Sequence, residues 1–364
     1  MARVGIDAVQ VAPAGKGLAR SQRRLIESLA ALETGHELVA FVRGEEAAAL
    51  IRPTGVRVER ARERLLLAWQ QWGMPRAAAR LHLDAVVTMT DRLPLWGGTR
   101  YVVWLFELPT HRIEESRRAA ASRYQRASDL LTTALWKPSL RRAARVVAGS
   151  QATAREIEAA VPELRGRVPV VYPGLDVGFG QVPVPGTGTW PPQTGDRYVF
   201  NLASPDPRDN TETVVRAFEA ARAAVGGDLE LVVAGNVGSR CLAPGHVRLV
   251  GYVSDEELRR LYAGAAAYLD ATLYEGFGYQ PLEAMACGAP VVASSASSIP
   301  EVVGDAGLLC DPRSTEQLAA ALLRVLEEPG LADDLRERGF ERARRFTWER
   351  TAREFAGILD EVVA

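Results

Sequence analysis

The chain is expected to fold as an α/β protein made of two doubly wound domains, and three observations lead there. Apolar strand-like runs alternate with helix-like runs from residue 3, and the pattern restarts at Tyr198-Val199-Phe200. Residues 178–196 are rich in Gly and Pro, lack periodicity and separate the two patterns as a linker. At 364 residues the chain is long enough for two sizeable cores.

In the first half, Arg3 to Ala8 reads as a buried strand. Pro13-Ala14-Gly15-Lys16-Gly17 is a glycine turn, and a helix follows with Leu18, Leu25, Ile26, Leu29 and Leu32 on one face. Strand, glycine turn, helix is an arrangement that can cradle an anion. Leu38 to Val42 is a second strand. Arg57 to Arg64 is basic and runs into Leu65-Leu66-Leu67-Ala68-Trp69 and Trp72, which reads as a surface helix packing Leu and Trp inward with its arginines solvated. Ala85 to Thr88 and Tyr101 to Leu105 are further strands. Arg145 to Ala148 is another, and Ser150 is placed to cap the helix after it.

In the second half, Tyr198 to Ala203 leads into Ser204-Pro205-Asp206-Pro207-Arg208-Asp209-Asn210 and a helix carrying Val214, Val215 and Phe218. Leu229 to Ala234 and Val247 to Gly251 are strands, and Ser254 to Glu257 forms a capping box. The stretch Leu273-Tyr274-Glu275-Gly276-Phe277-Gly278-Tyr279-Gln280-Pro281-Leu282-Glu283 reads as a tight loop feeding a helix, with Pro281 at the first helical position. Free first-turn N–H groups and the helix dipole attract phosphate. Glu275 and Glu283 can offer carboxylates to hydroxyl pairs of one ligand. Helices are expected over 315–326, 331–345 and 348–363, the last with Phe355, Leu359 and Val362 on one face.

Composition narrows the class. Hydrophobic residues make up 47%, charged residues 24%, and the net charge is −1, so no global field points to nucleic acid. Cys241, Cys287 and Cys310 are far apart and suggest neither zinc nor redox chemistry. The first residues run straight into a strand and no apolar run approaches a membrane span, so a cytoplasmic protein is expected. Only Lys16 and Lys137 are lysines, and no Asp-x-Asp occurs, so no metal grip on a diphosphate is expected.

Glu275-Gly-Phe-Gly-x4-Glu283, followed by Ala-Met-Ala-Cys-Gly-Ala-Pro-Val-Val-Ala and then by 299–309, resembles the signature of the family-4 (group 1) retaining glycosyltransferases of GT-B fold. The resemblance is strong over 247–312 and looser in the first half. It implies two Rossmann-like domains facing a cleft: 1–177 with a last helix, 347–364, crossing back to it, and a nucleotide-sugar-binding domain over 197–346. It implies sugar transfer from a nucleotide-diphospho-sugar with retention, and no cofactor. The acceptor would be a cell-surface glycan, a glycolipid or a natural product, and peripheral membrane contact at the inner face is compatible with it.

By the same resemblance Glu275 contacts the donor sugar and serves as the catalytic-site carboxylate, and Glu283 takes the ribose hydroxyls. Backbone at Phe277 and Gly278 orients sugar hydroxyls, amides around Leu282 hold phosphate, and backbone at Val253 meets the base. Gly15 and Gly17 approach the donor phosphate. The sequence also departs from the family pattern. Ser204 and Asp209 stand where relatives carry the Arg and Lys that grip the diphosphate, with Arg208 one position away as a substitute. On the acceptor side, Phe106 and Glu107 stand where relatives carry His-Asp. These departures keep two alternatives open: a non-catalytic binding protein, and an epimerase or hydrolase of the same fold.

Overall fold

The computed structural model describes residues 1–13, 17–32, 34–111, 123–180, 197–226, 229–237 and 245–364. They form two compact units, Met1–Gly174 with Thr347–Ala364, and Leu175–Phe346.

The first unit is a six-stranded parallel sheet in the order β3-β2-β1-β4-β5-β6. The strands are β1 (Arg3–Asp7), β2 (Glu37–Val42), β3 (Arg57–Arg60), β4 (Ala85–Thr88), β5 (Arg100–Leu105) and β6 (Arg145–Ala148). Side chains alternate between two buried faces, as a parallel sheet covered on both sides requires. Val102, Trp104 and Val147 enter one core with Leu25, Ile26 and Leu29 of α1 (Leu18–Ala31). Tyr101, Val103 and Val146 enter the other with Phe41, Trp69 and Trp136.

Arg57–Arg60 is the edge strand rather than part of a helix, paired through Val39↔Arg57 and Ala40↔Val58. A short charged strand suits an edge, and Glu59 accepts from Arg57 and Arg80 at 2.7 and 3.0 Å. The helix expected after it starts later. It is built from α3 (Leu66–Ala68), a π-helical turn (Trp69–Gly73) and α4 (Met74–Arg80). Trp69 is buried and Trp72 is half exposed.

Further along, α5 (Arg123–Arg142) precedes β6. Ser150 caps α6 (Gln151–Ala160) by accepting from the Thr153 N–H at 3.1 Å. The last helix packs on this unit through Trp348, Phe355 and Leu359. Its arrival leaves no room at Gly174, where a Cβ would stand 2.1 Å from the Trp348 nitrogen.

The second unit repeats the architecture with strands β7 (Tyr198–Ala203), β8 (Glu230–Gly235), β9 (Val247–Gly251), β10 (Ala267–Leu269), β11 (Val291–Ser294) and β12 (Gly307–Cys310), ordered β12-β11-β10-β7-β8-β9 and all parallel. Helix α7 (Thr211–Val225) lays Val214, Val215 and Phe218 into a core shared with Leu318 and Leu322 of α11 (Thr315–Glu327). The expected linker start is corrected. Val177–Gly180 is a 3-10 turn of this unit, with Phe179 buried under the Arg259 guanidinium at 5.9 Å. Residues 181–196 lie outside the described residues.

Candidate functional site

Strand order in the second unit reverses between β7 and β10, and such switch points open a crevice at the carboxyl ends of the strands. The loops leaving β7, β10 and β11 meet there. Asp270 directly follows β10 and is buried. The Thr272 N–H and hydroxyl both donate to its Oδ1, at 2.9 and 2.6 Å. Burial outweighs these bonds and pushes the Asp270 carboxyl up to about 6.

The signature loop is then tied on both sides. The Leu273 N–H donates to the Arg208 carbonyl at 2.7 Å, which fixes it to the loop after β7. The Ser297 and Ser298 hydroxyls donate to the Glu275 carbonyl at 2.6 and 2.7 Å, which fixes it to the turn after β11. Phe277 is buried against Tyr279 and Phe346, with ring centroids 5.0 and 5.7 Å away. Gly278 then turns the chain at φ +102°, where a side chain would be strained, and a Cβ there would stand 2.9 Å from Ile299.

That turn starts the helix earlier than expected. Helix α9 is Tyr279–Ala286, so Pro281 is its third residue, not its first. Proline still fits, since the third amide also lacks an intrahelical acceptor. The Leu282 N–H closes back on the Gly278 carbonyl at 3.4 Å, so it is an intrahelical donor rather than one of the free first-turn amides the sequence suggested. Glu283 lies a turn deeper and is buried, and the Tyr262 hydroxyl approaches its Oε2 at 3.5 Å. It is therefore not a solvated helix-end charge. Glu275, half-buried, and Glu283 both bear electrostatically on the buried Tyr268, together with Asp270 and Asp209. The Tyr268 hydroxyl donates to Gln280 Oε1 at 2.8 Å, so β10 and α9 are locked together beneath the loop.

The loop after β7 is more self-contained than the sequence suggested. Asp209, in the lysine place, accepts the Ser204 N–H at 2.6 Å, and burial raises its pKa. Asp206 accepts from the Arg208 N–H and Nε at 2.9 and 2.7 Å. The Arg208 guanidinium lies 5.9 Å over the Tyr274 ring, beside the signature loop. Arg208 thus lies beside the signature loop and is held by Asp206. Val253 follows the turn at Gly251 (φ +70°) and precedes the capping box of α8 (Asp255–Gly264), where Ser254 and Glu257 exchange bonds of 3.2 and 2.7 Å.

In the first unit, Gly15 and Lys16 lie outside the described residues, while Gly17 caps α1 at φ +55°. Phe106 packs on Trp104 with ring centroids 4.8 Å apart, and its carbonyl accepts from Thr153 Oγ1 at 2.6 Å. Glu107 beside it is half-buried. His111 is bonded to Glu156 at 3.1 Å. Sequence reasoning passed over Asp270 and Asp7, although an acidic residue ending a buried strand is a readable signal of the strand's ligand-facing edge. Among the described residues no group of three or more His, Cys, Asp or Glu could hold a metal ion.

Asp270 allows a pH prediction. Its folded pKa lies above the unfolded value, so between about 6 and about 4 the folded state binds the proton and the unfolded state does not. Stability gained on acidification into that window is lost as pH rises through 6. Asp270→Asn keeps the Oδ1 acceptor and removes the charge. It is expected to raise stability at pH 7 by on the order of 2 kcal/mol and to flatten the wild-type pH slope. Urea melts at pH 5 and 7 check this, and an unchanged slope contradicts it.

Comparison with known proteins fits this geometry. A family model described as glycosyl transferases group 1 matches residues 189–342, and one described as glycosyltransferase family 4 matches residues 15–179. The O-antigen chain mannosyltransferase B of Escherichia coli is 35% identical over 162 residues, 42% of either chain. The MMP alpha-(1->4)-mannosyltransferase of Mycolicibacterium hassiacum is 39% identical over 116 residues, 31% of this chain and 28% of that one. The chain thus aligns with less than half the length of these curated relatives. Among solved structures, sucrose-phosphate synthase from Thermosynechococcus elongatus superposes with TM-score 0.75 at 20% identity, covering 100% of this chain and 99% of that one. Anabaena Alr3699/HepE in complex with UDP-glucose superposes with TM-score 0.71 at 16% identity, covering 99% and 100%. These likenesses show the shared two-domain fold.

Proposed function

We propose that this chain, which belongs to the group 1, family 4 glycosyltransferases, transfers a sugar from a nucleotide-diphospho-sugar to an acceptor. The observation that carries this reading is the Glu275–Glu283 loop, anchored by Leu273, Ser297 and Ser298 at the switch point of the second unit. The Glu283 carboxylate takes the ribose hydroxyls, and Glu275 positions the donor sugar. Backbone amides at the start of α9, reinforced by the helix dipole, hold the diphosphate and stabilise the leaving nucleotide. Val253 backbone meets the base. Configuration at the anomeric carbon is retained, and no metal or cofactor takes part. Incubating the protein with UDP-, GDP- and dTDP-sugars plus sugar acceptors, and reading products by NMR, tests this. Donor turnover that proceeds equally without acceptor would contradict it.

Arg208 supplies a cation to the diphosphate by exchanging Asp206 for phosphate oxygens. Arg208→Ala is expected to raise donor KM about tenfold with a smaller change in kcat. An unchanged donor KM rejects this role.

The acceptor falls to the first unit, with Phe106 and Glu107 on its side, and belongs to cell-surface glycan or glycolipid synthesis in the cytoplasm. No helix among the described residues is long and apolar enough to cross a membrane. Peripheral contact with the inner face is supported by exposed Trp72, Leu95 and Trp96 around Gln71, which accepts from the Leu95 N–H and the Trp96 indole at 3.2 and 2.7 Å. Cosedimentation with anionic vesicles, lost in a Trp72→Ala, Trp96→Ala double variant, checks that contact, and full retention in the variant rejects it.

A non-catalytic nucleotide-binding role has one observation in its favour: Asp206 and Asp209 occupy Arg208 and the Ser204 amide, where relatives present cations. Donor binding without any product under the same assay would select it.

A further inference from the structure

The first unit has a switch point of its own. Its strand order reverses between β1 and β4, so a crevice is expected at their carboxyl ends. Asp7 ends β1 there, buried, and is held from within: the Trp69 indole N–H and the Thr88 hydroxyl donate to its two oxygens, each at 2.9 Å. Next to it, Arg43 directly follows β2, and its charge is felt by Asp7. Both Asp7 oxygens are nevertheless committed elsewhere. The Arg43 Nε and one terminal nitrogen are buried and have no hydrogen-bond acceptor.

Two neutral side chains from elements that meet this edge are also incomplete. Gln22 of α1 and Gln70 of the π-helical turn are both buried, and the side-chain oxygen of each lacks a donor. Gln70 is fixed in place, since its amide nitrogen donates to Thr90 Oγ1, two residues past the end of β4, at 2.6 Å. A guanidinium removed from water without an acceptor is costly, and so, to a smaller degree, is an amide oxygen without a donor. An anion offers what Arg43 lacks, in the forked geometry that guanidinium favours. Hydroxyl groups offer what the two glutamines lack.

We propose that the carboxyl edge of β1, β2 and β4 binds a hydroxylated ligand bearing an anionic group, phosphate or carboxylate, with Arg43 gripping the anion and Gln22 and Gln70 accepting from hydroxyls. The identification of this ligand as the acceptor rests on the transferase reading above. The binding site itself does not.

The test uses the full chain at constant ionic strength with saturating UDP present, so that phosphate sites for the donor are filled. Inorganic phosphate, D-glucuronate and, as the neutral control, glucose are titrated while thermal stability is followed. A saturable rise with phosphate assigns a phosphorylated ligand, a rise with glucuronate a carboxylated one, and glucose at the same concentrations is expected to do less than either. Arg43→Met is expected to weaken the responding anion at least tenfold while UDP binding stays as in wild type. Arg43→Lys, which keeps the charge but not the fork, carries the test if Arg43→Met fails to fold, with a weakening of about threefold or more expected. No saturable response to either anion overturns the proposal, and so does equal anion binding in wild type and the variants. A chain that binds the anion through Arg43 yet transfers no sugar would refute the transferase reading alone. A chain that transfers sugar with anion binding indifferent to Arg43 would refute this site alone.

Discussion

Replacing Glu275 with alanine is expected to lower kcat by about 100-fold or more with little change in donor KM, because misplacing a reacting group by even an ångström costs on that scale. What anchors the loop is the Glu275 carbonyl, held by Ser297 and Ser298, and that bond survives loss of the side chain. Glu283 should behave differently. It is buried with the Tyr262 hydroxyl near its Oε2, so alanine would add a cavity to the loss of charge. Glu283→Gln nearly keeps the volume and tests the charge itself. It is expected to raise donor KM roughly 10- to 100-fold, the worth of one or two charge-assisted hydrogen bonds, with kcat less affected. Steady-state kinetics separate the two. Near-normal constants for both variants would remove the signature loop from the mechanism.

The second large effect concerns the helix that completes the first unit, α13 (Trp348–Val363). Phe355→Ala is expected to destabilise that unit by about 3–5 kcal/mol. The ring is fully buried, with its centroid 4.9 Å from Trp104, itself fully buried in β5. Around it α13 is pinned by side chains distant in sequence. His36 meets Asp360 at 2.9 Å, Arg145 meets Glu361 at 2.5 Å, and the Arg100 guanidinium donates to the Val362 carbonyl at 2.5 Å. Thr347 starts the helix by accepting the Arg350 N–H at 3.2 Å. The exposed ion pairs add little by comparison with the ring. Denaturant melts monitored by tryptophan fluorescence check this, and a loss under 1 kcal/mol would mean that α13 is peripheral to the fold.

The sheets were legible because burial on both faces leaves strong apolar runs, as in Val102-Val103-Trp104-Leu105. Edges and joints were less so. Arg57–Arg60 reads as a solvated charge run because only Val58 carries an apolar signal, and its pairing with β2 leaves no mark in the local periodicity. Phe179 lay in a stretch without periodicity, and its burial depends on Arg259 and Tyr262, about 80 residues later. Pro281 suggested a helix start two residues late, since nothing local says that Gly278 turns sharply enough for Tyr279 to begin it. Motif matching located the candidate site, but it cannot see electrostatic company. Asp209 reads as a charge repelling a diphosphate, whereas the folded loop spends it on the Ser204 amide. Arg43, Gln22 and Gln70 carry no motif at all and become visible only when buried polar atoms are matched with partners.

The most direct measurement is a titration of the purified chain with UDP-, GDP- and dTDP-sugars, with and without magnesium, comparing wild type with Glu283→Gln by thermal stability. A nucleotide-sugar held by the loop of the second unit raises the melting temperature saturably with one nucleotide class, and Glu283→Gln weakens that response at least tenfold. No response to any nucleotide-sugar, or a response identical in the two proteins, would contradict the assignment of this loop as the donor site.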